Sequence, residues 1–162
     1  MASPVQPDHP RLQEFVEGLN RHCRLKITLA ELKEAVAAYP PFIHTRPETL
    51  IANCSALKRS LKLSSPQLKR LLLSNPSVVK HDPAAVHRNH RAMAKWLGKS
   101  VKAYLSDIVR FRRLFKVSPT RASAMLLALQ EGFGLAEADA RALLRKAPHL
   151  LPMAPETVLR NA

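Results

Sequence analysis

Residues 75–86 read NPSVVKHDPAAV, a pair of valines between two prolines, Pro76 and Pro83. Twelve residues of this kind say little until they are found again. YPPFIHTRPETL (39–50), FRRLFKVSPTRA (111–122) and APHLLPMAPETV (147–158) align with them without a gap. Pro47, Pro83, Pro119 and Pro155 follow one another at a spacing of 36 residues. Pro40, Pro76 and Pro148 keep the same register, with Arg112 standing in the third copy. Apolar columns accompany them: Ile43, Val79, Phe115 and Leu151, and Val36, Leu72, Ile108 and Leu144. Leu57, Met93 and Leu129 form another column, as do Leu61, Leu97 and Phe133, while Leu32 and Leu68 are matched by Tyr104. Self-similarity at one fixed period is the signature of a repeat array.

Each period reads as helix, proline-bracketed corner, helix. Thr28-Leu29-Ala30-Glu31 and Ser64-Ser65-Pro66-Gln67 have the form of capping boxes, and Ser100 takes the same place without an acidic partner. Leu29, Leu32 and Val36, then Leu68, Leu71 and Leu72, give the i, i+3, i+4 stripe of a buried helix face. Pro40, Pro76 and Pro148 are expected to end the first helix, and with Arg112 in the proline's place the third copy's first helix is expected to run on. Pro47, Pro83, Pro119 and Pro155 suit the first turn of the second helix, where no N–H is needed. Gly98 and Gly134 fall near second-helix ends, where a left-handed cap is useful. With four glycines and no alternating pattern, a sheet is not expected. The expectation is an all-α chain, an α-solenoid of about four helical repeats with a 36-residue period. Its parts are an N-terminal segment and partial repeat (1–27), repeats 28–63, 64–99 and 100–135, and a partial repeat (136–162), in one continuous domain. Pro155-Glu156-Thr157-Val158-Leu159-Arg160-Asn161-Ala162 copies 47–54 in keeping Pro, Glu, Thr and Asn, which reads as an excerpt of a longer array or a short member.

Charge narrows the partner. Lys and Arg number 26 against 12 Asp and Glu, a formal +14. Such an imbalance points to a polyanion, nucleic acid before anionic lipid. Residues 64–99 hold seven cations against Asp82, and 100–135 hold six against Asp107 and Glu131. The excess therefore sits in the two middle repeats, as phosphate tracking requires. Cys23 and Cys54 form no disulfide framework or zinc pattern, which fits a reducing compartment. No apolar run approaches the roughly 20 residues of a membrane span. The opening residues, with Asp8, Glu14 and Glu17, lack the acid-poor, Ser-rich character of an import signal.

The columns resemble the mitochondrial transcription termination factor family, called mTERF, whose organellar members are common in plants and algae. The carrying residues are Leu68-x-x-Leu71-Leu72…Asn75-Pro76-x-Val78-Val79…Pro83 and Leu97-Gly98-x-Ser100…Ile108-Val109…Leu114-Phe115…Pro119. Gly134-Leu135…Leu143-Leu144-x-x-x-Pro148-x-Leu150-Leu151…Pro155 adds a third copy. The resemblance implies a right-handed α-superhelix holding duplex nucleic acid in a basic groove, and a place in organellar gene expression, in chloroplast or mitochondrion. Full family members usually carry more repeats than these.

The candidate phosphate contacts are Lys69, Arg70, Lys80, Arg88, Arg91, Lys95, Arg110, Arg112, Arg113, Lys116 and Arg121. Lys33, Lys69 and Arg141 recur at one repeat position and Lys80 and Lys116 at another, while Arg88, Arg91 and Lys95 share one helix face. The partner expected is duplex DNA or structured RNA, bound by a monomer, with no membrane and no cofactor. RFRRLFKVSP (110–119) mixes cations with apolar residues as a membrane-surface helix would. The register instead makes Leu114, Phe115 and Pro119 architecture, and the ring of Phe111 is read as core with that of Phe115. Asn75, Asn89 and Gln130 read as caps or solvated amides before base contacts, and Trp96 as part-buried packing before base stacking. Gly98-Lys99-Ser100 reads as a helix end, since a phosphate loop would need glycine where Met93 stands. His87-x-x-His90 reads as polar surface gaining charge below about pH 6.5, not as a zinc site. With no nucleophile beside a base, no catalytic seat is expected. Two other classes stay open: a protein-interaction solenoid of the HEAT or armadillo kind, and an RNA-binding helical repeat protein.

Overall fold

The computed structural model describes residues 9–160, so Asp8 and the last two residues of the C-terminal copy, Asn161 and Ala162, lie outside it. The described residues form α-helices and short 3₁₀ helices and no strand. In chain order the α-helices are α1 (Pro10–Cys23), α2 (Leu29–Ala38), α3 (Pro47–Ser60), α4 (Ser65–Ser74), α5 (Pro83–Leu97), α6 (Val101–Arg110), α7 (Pro119–Phe133), α8 (Glu137–Lys146) and α9 (Pro155–Arg160). The 3₁₀ helices Pro40–His44, Pro76–Lys80, Arg112–Lys116 and Pro148–Leu150 sit at the four corners. The chain divides into two compact units, Met1–His87 and Arg88–Ala162.

Local chemistry sets the helix starts. The Thr28 hydroxyl accepts from the Glu31 N–H while the Glu31 carboxylate accepts from the Thr28 N–H at 2.8 Å. Ser64 and Gln67 repeat the arrangement. Ser100 caps α6 through the Ala103 N–H at 3.1 Å, and Ser118 caps α7. Asp82 accepts from Ala84 and Ala85 N–H at the start of α5. Pro47, Pro83, Pro119 and Pro155 each open their helix, where the missing N–H costs nothing.

Three of the four corners follow the expectation, and the one at Arg112 departs from it. α2, α4 and α8 stop at Ala38, Ser74 and Lys146, and the proline two residues on opens the 3₁₀ turn. The residue between, Tyr39, Asn75 or Ala147, has left the helical region, as the residue before a proline must. α6 does not run on. It ends at Arg110, and Phe111 takes φ −120° and ψ 81°, close to its three counterparts. Burial of Leu114 and Phe115 holds that corner without a proline.

In the first unit α1 lies against α2 and α3, and α2 against α4. Leu12, Phe15 and Leu19 meet Leu50, Cys54 and Leu57 in its core, and the Phe15 and Phe42 rings pack edge to face at 5.7 Å. Cys23 lies 3.4 Å from the Ser55 hydroxyl, and burial pushes the Cys54 thiol well above the usual thiol range. Asn53 donates to the Val79 carbonyl, tying α3 to the next corner. In the second unit α7 packs on α8 and α9, and Tyr104, Ile108, Leu129, Leu144 and Leu151 are buried. Asn89 donates to the Val117 carbonyl at 3.0 Å, one repeat on from Asn53. The columns read from the sequence are buried throughout, except Phe133, which is 40% exposed.

Candidate nucleic-acid interface

In the first unit, α4 and the corner after it present Lys69, Arg70 and Lys80. Lys69 is held within the protein: its ammonium donates to the Lys26 carbonyl at 2.8 Å and meets the Glu31 carboxylate at 2.7 Å. The hydrogen bond from Lys69, with that from the Thr28 N–H, draws the Glu31 carboxyl below its ordinary range. Arg70 is exposed beside it. Lys80 is exposed with its ammonium 5.9 Å from the Tyr39 ring centre.

In the second unit, Arg88, Arg91 and Lys95 are exposed on α5. His90, between them in sequence, is not surface at all. It is 1% exposed, with its ring 5.1 Å from Phe115 and 6.0 Å from Tyr104, both edge to face. The reading of His90 as a solvated histidine is thereby corrected: it fills a core position between aromatic rings. Among the described residues no group of three or more His, Cys, Asp and Glu is gathered as a metal site would need.

Beyond α5, Arg110, Arg112 and Arg113 come together around one open pocket, with Lys116 exposed on the same 3₁₀ turn. Arg112, Arg113 and Lys116 enter no ion pair among the described residues. Phe111 is half-buried at the pocket wall, so of the two rings read as core only Phe115 is. The register carried that signal, since Tyr39, Asn75 and Ala147 at the equivalent places form no apolar column. Arg121, also a candidate, donates instead to the Pro152 carbonyl at 2.9 Å.

Two further arginines serve the fold. The Arg141 guanidinium lies 4.8 Å from the Trp96 ring centre and donates to the Trp96 carbonyl, and Arg145 donates to the Leu97 carbonyl at 2.9 Å. They satisfy the last carbonyls of α5, at the negative end of its dipole. Trp96 is half-buried and donates to the Ser123 hydroxyl, in keeping with packing. Gly98-Lys99-Ser100 is a helix end: Gly98 is left-handed, Lys99 pairs with Asp107 and Ser100 caps α6. Among the described residues no helix is long and apolar enough to cross a membrane. Set beside protein-family models and curated proteins, the chain matches none of them.

Proposed function

We propose that the chain is an α-solenoid that binds nucleic acid through backbone phosphates and regulates organellar transcription or gene expression, as its resemblance to mTERF implies. The solenoid reading, right-handed by that resemblance, draws support from where elements begin. First helices start at 29, 65, 101 and 137, corner turns at 40, 76, 112 and 148, and second helices at 47, 83, 119 and 155.

One observation carries the phosphate reading: the corner Arg112–Lys116. Its backbone is anchored by Leu114 and Phe115, and its three cations are exposed and unpaired among the described residues. Arginine forks two hydrogen bonds onto one phosphate, so such a corner is a preorganised anchor. Contacts of this kind supply affinity and orientation without reading sequence. Duplex DNA and structured RNA both present the required charge.

The test is binding to matched duplex and single-stranded oligonucleotides across a salt series. Log K is expected to fall linearly with log salt, by about 0.9 per phosphate neutralised on duplex DNA. Absence of salt-sensitive binding to every oligonucleotide removes the proposal. A protein-docking solenoid is the second reading, favoured by Leu127, Phe133, Leu143 and Leu159, which are 36–54% exposed.

A further inference from the structure

In the second unit, an open pocket of about 310 Å³ is walled by Arg110, Phe111, Arg112, Arg113, His149 and Pro152. Three of those side chains are guanidiniums, two are aromatic rings, and none is a carboxylate. The Phe111 and His149 rings stand 5.4 Å apart, tilted by 41°, and the Arg110 guanidinium is 5.1 Å from the Phe111 centre. The rings offer a surface on which a planar group stacks. The arginines offer more charge than one bridging phosphodiester carries, and they match a terminal phosphate, whose charge near pH 7 is about −1.5 to −2. The volume sits at the low end of the roughly 300–1,000 Å³ of small-ligand sites. It has room for one nucleotide.

We infer that this pocket takes a single nucleotide bearing a terminal phosphate, its base stacked against Phe111 and His149 and its phosphate between Arg112 and Arg113. The inference rests on the phosphate-binding reading of Arg112 and Arg113 and adds what is recognised there. A free nucleoside monophosphate and the phosphorylated end of a strand present the same chemistry.

The test uses the full chain and fluorescence anisotropy. Single strands labelled at the 3′ end carry either a 5′-phosphate or a 5′-hydroxyl, with adenosine 5′-monophosphate and ribose 5-phosphate as competitors. A blunt, unphosphorylated duplex reports the sequence-blind binding separately. A strand-end site makes the 5′-phosphorylated strand bind about tenfold tighter than its hydroxyl twin. A free-nucleotide site leaves both strands alike but binds fluorescently labelled adenosine 5′-monophosphate, which unlabelled monophosphate displaces about tenfold better than the sugar phosphate does. In either case His149→Ala and Phe111→Leu bring the ratio toward one while duplex binding stays unchanged. His149 is exposed, so its variant remains informative should the Phe111 variant fold poorly. Equal strands together with equal competitors overturn the inference, and persistent duplex binding then leaves the proposed function standing. Monophosphate binding without duplex binding supports the inference and removes that function.

Discussion

Leu151 and Pro148, three residues earlier, are both buried in the second unit, and Pro148 also fixes its own φ. Leu151→Ala is expected to cost about 2–5 kcal/mol through missing methylenes and the cavity left behind. Pro148→Ala should cost less, about 1–2 kcal/mol, through the freer unfolded chain and the two ring carbons it removes. Thermal melts of the two variants separate these, and equal small shifts would mean that the column is not core. Gly98 and Gly134 make a second pair, both at φ near +64°. A Cβ on Gly134 meets nothing, but one on Gly98 meets the Arg145 guanidinium and dislodges it from the Leu97 carbonyl. Gly98→Ala should therefore lose about 1 kcal/mol more than Gly134→Ala, roughly one hydrogen bond. The buried columns are legible in the sequence because burial recurs wherever the period places an apolar residue. His90 is equally legible by register: one period earlier stands Cys54 and one later Leu126, both buried. Residue type points to the surface there, and register to the core.

Helix starts are the most readable elements, because a cap needs only residues three apart. Thr28→Ala should cost about 1 kcal/mol by unfastening α2. The box also has a pH signature. Because the folded Glu31 carboxyl is held below its ordinary value of 4.5, its contribution to stability is complete above that pH. The contribution fades as pH falls through the lowered folded value, and Glu31→Gln should remove this limb of the acid-unfolding curve. Three corners are legible from their prolines, but the one at Arg112 is not, because buried Leu114 and Phe115 hold it without one. Phe111 already has the backbone that Tyr39, Asn75 and Ala147 adopt before proline. Arg112→Pro should therefore fold normally and gain about 0.4–1 kcal/mol in denaturant titrations. A loss of stability would mean that the Arg112 N–H or side chain holds the corner.

At the scale of the molecule, the charge total is plain from composition, but not its allocation. Lys69, Lys99, Arg121, Arg141 and Arg145 are bound to carboxylates or carbonyls of the protein itself. Which cation meets a carbonyl depends on what folds beside it, and that information is not local. Replacing Arg112, Arg113 and Lys116 with Gln should shift stability by under about 0.5 kcal/mol. Duplex binding should weaken alike for all sequences, and the salt slope should flatten by about 0.9 for each phosphate no longer neutralised. The triple substitution of Lys69, Arg121 and Arg141 should invert the pattern, lowering the melting temperature with a smaller change in slope. Anionic vesicles are the control: binding to them alone, abolished by Phe111→Ser in a folded protein, would replace the phosphate reading with a membrane one.

The buried thiols of Cys23 and Cys54 lie in the first unit, and the single tryptophan, Trp96, lies in the second. Each unit thus carries its own native reporter. A buried, protonated thiol resists alkylation until its surroundings open, so labelling follows the first unit, while indole fluorescence follows the second. Coincident midpoints in one denaturant series identify a single cooperative transition, and separated midpoints identify two. Unfolding cooperativity is therefore measurable on the unaltered chain, with no dye or engineered probe.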